Sequence, residues 1–406
     1  MRQYTGDLKK VIGMSYKFSS KVKDMKPSAI REIFKSMSDP DMISLAAGNP
    51  SAESFPYDKM ADISARIFAE TPVAALQYSI TEGYPQLIAQ VTKRLREKQS
   101  IGTDNDDVII TSGGQQAIDL TAKVLCNEGD VVICEKPSFI GALNAFRSYN
   151  TRLVGVDIED DGINIEMLED ALKMNPETKL IYVIPTFHNP AGICMSLEKR
   201  KKVLELAEKY DVVILEDNPY GELRFDGEDI PTIKSMDKNG RVVYCSTFSK
   251  ILSAGMRVGY LCGPKEIVQK VVVVKQVNDV HTNIFFQILC SRFMDLYDID
   301  THIAGIRKLY KRKCNLMLSE LDDKLSDKLD YTRPSGGLFL WATAKSGESG
   351  NVIAKKAVAQ KVAVVPGSTF LTNTNEECAS FRLNYSTPSD EQIIEGINRL
   401  AKALNS

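Results

Sequence analysis

The sequence predicts an α/β protein, with a large three-layer domain around a mostly parallel sheet and a smaller α+β domain after it. Three observations carry this. Between about residues 107 and 263, short β-branched runs alternate with helical patterns at the spacing of βα units. Those runs are nearly continuously apolar, as strands covered on both faces should be. After about residue 290 the rhythm changes to one long charged helix and several short strands.

Taken in order, the opening KPSAIREIFKSM carries one helical pattern and is too short for a domain of its own. It is assigned to an N-terminal arm, residues 1–48, packing with the small domain. DVIITSGG reads as a strand and turn feeding the helix QQAIDLTAKVLC, whose Ile118, Ala122 and Leu125 share a face. DVVICEKP, TRLVGVDI, KLIYVIP, DVVILEDNP, RVVYCS and MRVGYLCG read as further strands. SLEKRKKVLELAEKY is a helix capped by Ser196, with Glu198 in its first turn and Val203, Leu206, Ala207 and Tyr210 inward. The large domain spans 49–290 and the small one 291–406. The small domain holds the helix HIAGIRKLYKRKCNLMLSELDDKL, strands in LDYTRPSGGLFLWAT, VAVVPGSTF and SFRLNYS, and a last helix from about residue 388.

Composition narrows the function classes. The chain has 406 residues, 43% hydrophobic and 26% charged, and a formal net charge of −2, so nothing announces a nucleic-acid partner. No apolar run approaches the roughly 18 residues of a membrane helix, and the first residues lack the apolar centre of a secretion signal. Eight cysteines form no CxxC pair and read as reduced, mostly buried thiols of a cytoplasmic protein. With three histidines (His188, His281, His302) and no HExxH, no metal centre is expected.

In an open α/β sheet, ligands gather at the carboxyl ends of strands. The residues after each strand are therefore the candidates. Ser112-Gly113-Gly114-Gln115 ends a strand and opens a helix, which aims free amides and the helix dipole at one spot fit for a phosphate. The turn is neither GxxxxGK[ST] nor GxGxxG, and a plain βα turn explains it as well. Arg257 could supply the countercharge, with Ser246 and Ser249 as donors; a structural ion pair is its other reading. Asp217 follows a buried strand and needs a partner, either a protonated pyridine nitrogen or the next turn's amides. Asn189, before Pro190, reads equally as a turn residue. Lys250 in STFSKILSAG sits among Phe248, Ile251 and Leu252, where an ammonium is costly unless paired, neutral or covalently used.

As a set, these stretches resemble the class I/II aminotransferases of the fold-type-I pyridoxal-phosphate enzymes. The matching segments are LQYSITEGYPQL, TSGGQQAIDL, PTFHNPAG, EDNPYGELRF, STFSKILSAGMRVGY and FRLNYS, and they look most like the 2-aminoadipate and kynurenine group. The resemblance implies pyridoxal 5'-phosphate as cofactor and assigns roles. Lys250 would carry it as the internal aldimine and later act as general base. Asp217 would hold the ring nitrogen protonated; Asn189 and Tyr220 would bond the phenolic oxygen; Phe139, where relatives carry tyrosine, would stack on the ring. Ser112, Gly113, Gly114, Gln115, Ser246, Ser249 and Arg257 would bind the phosphate, and Tyr78 would reach the phosphate of a neighbouring subunit in a homodimer with shared sites. Arg382 would pair with the substrate α-carboxylate, Gly48 would lie beside the substrate, and Arg31 would meet a distal carboxylate. His188 is given no catalytic part.

The implied reaction moves an amino group from an L-amino acid (2-aminoadipate, aromatic or branched-chain) to a 2-oxo acid, with 2-oxoglutarate as acceptor, in two ping-pong halves. The same residues would serve a β-lyase or decarboxylase. A ligand-sensing domain of a transcription regulator is a remoter expectation, because the pattern begins near residue 25 and leaves no space for a DNA-binding module. A Ser–Lys hydrolase built on TFSK explains neither Asp217 nor the glycine turn.

Overall fold

The computed structural model describes residues 16–23, 39–373 and 375–405. The predicted helix KPSAIREIFKSM and its Arg31 lie outside the described residues. Among the described residues, fourteen strands form three sheets. In chain order they are β1 (Ile43–Ser44), β2 (Asp106–Thr111), β3 (Val131–Lys136), β4 (Arg152–Glu159), β5 (Gly162–Ile163), β6 (Thr178–Val183), β7 (Val213–Asp217), β8 (Val242–Thr247), β9 (Gly259–Pro264), β10 (Leu329–Tyr331), β11 (Phe339–Ala344), β12 (Val362–Ala363), β13 (Val365–Pro366) and β14 (Ser380–Asn384).

The large sheet has the order β2-β9-β8-β7-β6-β3-β4-β5. Pairing is parallel from β4 through β3, β6 and β7 to β8, and β9 runs antiparallel between β8 and β2. Successive residues of β3 point to opposite faces, and both faces are covered. Val132 packs with Ile118, Leu143, Phe146 and Val271 from one layer of helices, and Val131 and Ile133 with Leu168, Val203 and Ala207 from the other. This double cover is why the strands read as unbroken apolar runs. β4 is the exception: much of it is part-exposed, because only the two-residue β5 lies beyond it.

The helix foreseen after Ser196 spans Leu197–Lys209, and the Ser196 side chain accepts from the Lys199 amide. The small sheet is antiparallel in the order β10-β11-β14-β13 and packs against the helices Ile299–Leu325 and Asp390–Leu404. Two predicted strands come out shorter. MRVGYLCG begins its ladder only at Gly259, since Arg257 adopts a left-handed φ of 55°. VAVVPGSTF splits into β12, paired with β1, and β13, after which Gly367–Phe370 turns as a 3-10 helix. Pro366 lacks the amide that would extend the ladder. Among the described residues no helix is long and apolar enough to cross a membrane.

Candidate active site

The carboxyl ends of β6, β7 and β8, the turn after β2 and residues of β11 and β14 converge on one cavity of about 490 Å³. At one end, Gly113 has a φ of +76°, open to glycine, and a Cβ there would run into the Arg257 guanidinium. A Cβ on Gly114 would meet nothing within 4 Å, so the amino end of the helix Gly114–Leu125 opens onto the cavity. Arg257 donates to Ser249 Oγ (3.4 Å), Ala254 O (3.3 Å) and Ser112 O (3.3 Å), and has no acid partner among the described residues. Amides, helix dipole and guanidinium thus face the same space. That is an anion site.

At mid-cavity stand two titratable groups of opposite kind. The Asp217 carboxylate ends β7, buried, and accepts from Tyr182 Oη (2.7 Å) and the Cys245 thiol (3.5 Å). Burial lifts its pKa to about 6, against the pull of Tyr182, Cys245 and Lys250. Lys250 donates to Gly48 O (2.9 Å). Burial lowers its pKa to about 8, with Arg382 and Arg257 acting in the same sense and Asp217 against them.

At the far end, Arg382 of β14 donates to Asn189 Oδ1 and Ala46 O, both at 2.8 Å, and lies over the rings of Phe339 (4.2 Å) and Phe370 (5.0 Å). It is 3% exposed, its Nε has no partner, and burial lowers its pKa to about 10, with Tyr220 opposing. A buried cation with an idle donor and no acid among the described residues is suited to pair with a carboxylate. Asn189 also donates to Tyr220 Oη (3.4 Å), and burial raises the Tyr220 phenol. The cavity therefore brings together an amine, an acid and two groups suited to anions, the glycine turn with Arg257 and the buried Arg382.

The family described as "Aminotransferase class I and II" matches residues 40–400. The chain belongs to the class I and II aminotransferases. It is 39% identical to an aromatic-amino-acid aminotransferase of Thermococcus litoralis, over 95% of this chain and 94% of that one. The fold matches that of Pyrococcus horikoshii kynurenine aminotransferase, solved with PMP, at a TM-score of 0.92 and 38% identity over 96% of each chain. It also matches α-aminoadipate aminotransferase of Thermus thermophilus, solved with N-(5'-phosphopyridoxyl)-L-leucine, at a TM-score of 0.88 and 35% identity over 96% of this chain and 97% of that one. This aminotransferase is therefore a pyridoxal 5'-phosphate-dependent transferase of amino groups. Its donor set fits that group: amides and a guanidinium suited to a phosphate at Gly114 and Arg257, a buried acid without a cation partner, and a lysine whose pKa burial lowers to about 8.

In this aminotransferase the cavity is lined by Gly48, Gly114, Gln115, Phe139, Asn189 and Asp217, all foreseen in the sequence. Tyr220, Ser249, Lys250, Arg257 and Arg382, foreseen likewise, complete it. Gly113 stands behind Arg257. Two serines differ from expectation. The Ser112 hydroxyl turns away to Asp279 Oδ2 (2.9 Å), leaving only its carbonyl toward Arg257, and the Ser246 hydroxyl is spent on Asn218 O (2.8 Å). The Gln115 side chain is likewise tied to Gly141 O, so what it offers is its backbone. Tyr78 is 81% exposed and outside this chain's own cavity. His188 is buried beneath Asn189, with Nδ1 accepting from the Ala191 amide and Nε2 3.3 Å from Glu135 Oε2. Tyr182, Cys245, Thr247 and Phe339 were missed. The one available signal was Tyr182, a lone hydroxyl in the apolar run KLIYVIP.

Proposed function

We propose that this aminotransferase transfers the amino group of an L-amino acid, 2-aminoadipate, aromatic or branched-chain, to a 2-oxo acid, with 2-oxoglutarate as acceptor, in two ping-pong halves. One observation carries the reading. A lysine of lowered pKa and a buried acid share a cavity with a phosphate-type cradle at one end and an arginine with an unpaired Nε at the other. Pyridoxal 5'-phosphate, when bound, supplies an aldehyde for the Lys250 amine and an electron-withdrawing ring.

Each of the chain's own residues then has a task. The amides at Gly114 and Gln115, with Ser249 and Arg257, hold the phosphate. Asp217 keeps a proton on the ring nitrogen, and Tyr182 and Cys245 hold the carboxylate in place. Asn189 and Tyr220 donate to the phenolic oxygen, and Phe139 covers the ring face. Arg382 binds the α-carboxylate common to all amino acids, which suits a broad donor range. Lys250, neutral in an appreciable fraction near its lowered pKa, takes the proton from the substrate α-carbon.

Further parts of the reading concern the assembly. The protein acts as a homodimer in which Tyr78 completes the neighbour's phosphate site; Tyr78 and the exposed Val73, Leu76 and Ile80 support this by forming an apolar stretch open to a partner. It resides in the cytoplasm, as its eight free cysteines suggest. The divisions 1–48, 49–290 and 291–406 are proposed to act as arm, cofactor domain and small domain. A panel of amino acids added singly to the cofactor-loaded protein tests the reaction. A competent donor bleaches the visible band, and 2-oxoglutarate restores it with a new 2-oxo acid formed. Bleaching with loss of the substrate side chain or carbon dioxide would instead mark a lyase or decarboxylase.

A further inference from the structure

Behind the glycine turn lies a charged cluster that the reaction does not use. Lys275, on the helix Lys265–Asn278, has a fully buried side chain. Its ammonium donates to both oxygens of Asp279 (2.7 and 2.9 Å), to Gln116 Oε1 (3.1 Å) and to Thr282 Oγ1 (3.0 Å). Each of these acceptors in turn grips the turn after β2. Gln116 Oε1 accepts from the Ser112 amide (2.7 Å), while Gln116 Nε2 donates to Asp279 Oδ2 (2.7 Å) and Asn278 Oδ1 (2.8 Å). The Ser112 hydroxyl bonds Asp279 Oδ2 (2.9 Å) and lies 3.2 Å from Thr282 Oγ1.

Ser112 and Gln116 flank the three residues Gly113, Gly114 and Gln115. Both flanks are thus fixed from the side away from the cavity, and the remaining Ser112 carbonyl accepts from Arg257. A buried ammonium costs several kcal/mol in desolvation and is kept only where its geometry and hydrogen bonds are well met. Here all its partners are acceptors that define one turn and the start of one helix. Preorganised amides bind an anion without the cost of ordering them at the moment of binding.

We infer that Lys275 and Asp279 are positioning residues for phosphate recognition: they lock Ser112 and Gln116 from behind, so that the amides at Gly114 and Gln115 and the Arg257 guanidinium stand ready for the anion. The inference rests on the reading of this cavity as a pyridoxal-phosphate site. The rival role is a plain tie between the helices Gly114–Leu125 and Lys265–Asn278.

The test compares binding of pyridoxal 5'-phosphate and of pyridoxal, which shares the aldehyde and ring but lacks the phosphate, to apo wild type, Lys275→Met and Asp279→Asn. Attachment to Lys250 is common to both ligands and cancels in the ratio of their affinities. The expected result is a wild-type preference for the phosphorylated ligand that falls about tenfold or more in each variant, with pyridoxal binding unchanged. Equal weakening of both ligands would reveal the helix tie instead, and unchanged affinity for both would remove the role altogether. A wild type indifferent to the phosphate would overturn the site reading, and this inference with it. If a single variant strands its partner's charge and unfolds, Lys275→Met/Asp279→Leu removes both charges together and carries the same expectation.

Discussion

Asp217 shows at residue scale how a site stores a cost until its ligand arrives. Its carboxylate is bonded to a phenol and a thiol, with no cation at salt-bridge distance among the described residues, and burial raises its pKa from 3.8 to about 6. Below about pH 4 the acid is protonated in both folded and unfolded chains, and the shift has no effect on stability. Between about 4 and 6 the unfolded chain releases its proton and the folded one retains it, so the apo protein loses stability as pH rises; above 6 the loss is constant. That penalty is at most about 3 kcal/mol. Apo Asp217→Asn should therefore melt a few degrees above apo wild type at pH 8, with the gap closing toward pH 4. Loaded with cofactor, the order should reverse, because a protonated ring nitrogen pairs with Asp and not with Asn. Thermal melts across pH, with and without cofactor, check both halves; identical apo curves at pH 8 would mean the acid already has a partner.

At the scale of elements, the turn from β2 into the helix Gly114–Leu125 is the proposed source of cofactor grip. Gly113→Ala would strain a φ of +76° and push a methyl into Arg257. Cofactor affinity should drop by an order of magnitude or more, while thermal stability of the apo form falls by only about 1–2 kcal/mol. A fluorescence titration beside a melting curve separates the two. The turn also shows what sequence could and could not reveal. Glycines after a β-branched run announce a strand, a tight turn and a helix start, and Lys250 among apolar neighbours announces a perturbed amine. The direction of the Ser112 and Ser246 hydroxyls was not legible, because it depends on Asp279 and Asn218, which are distant from one or both serines in the chain. Tyr182 was hidden similarly: its phenol meets Asp217 only because β6 and β7 pair in the register Tyr182–Leu215. The division of VAVVPGSTF into β12 and β13 was not legible either, since their partners β1 and β14 lie hundreds or tens of residues away.

On the scale of the whole molecule, one apolar cluster runs from Ile63 and Leu87 through Tyr310 to Leu400, and the cavity lies where the two main sheets meet. Tyr78 belongs to the outside of that body, and its proposed place is in a neighbour. Two defective chains should then repair one another. Tyr78→Ala and Lys250→Ala, each nearly inactive, should regain activity when refolded together, because a mixed dimer holds one site with both residues intact. Activity that stays at the sum of the two parents would argue for sites built from a single chain. The central claim is covalent and can be read directly. The protein loaded with pyridoxal 5'-phosphate is reduced with borohydride, digested and mapped by mass spectrometry. The expected result is a single phosphopyridoxyl label on Lys250, absent from Lys250→Ala; a label on another lysine, or none at all, would contradict the account.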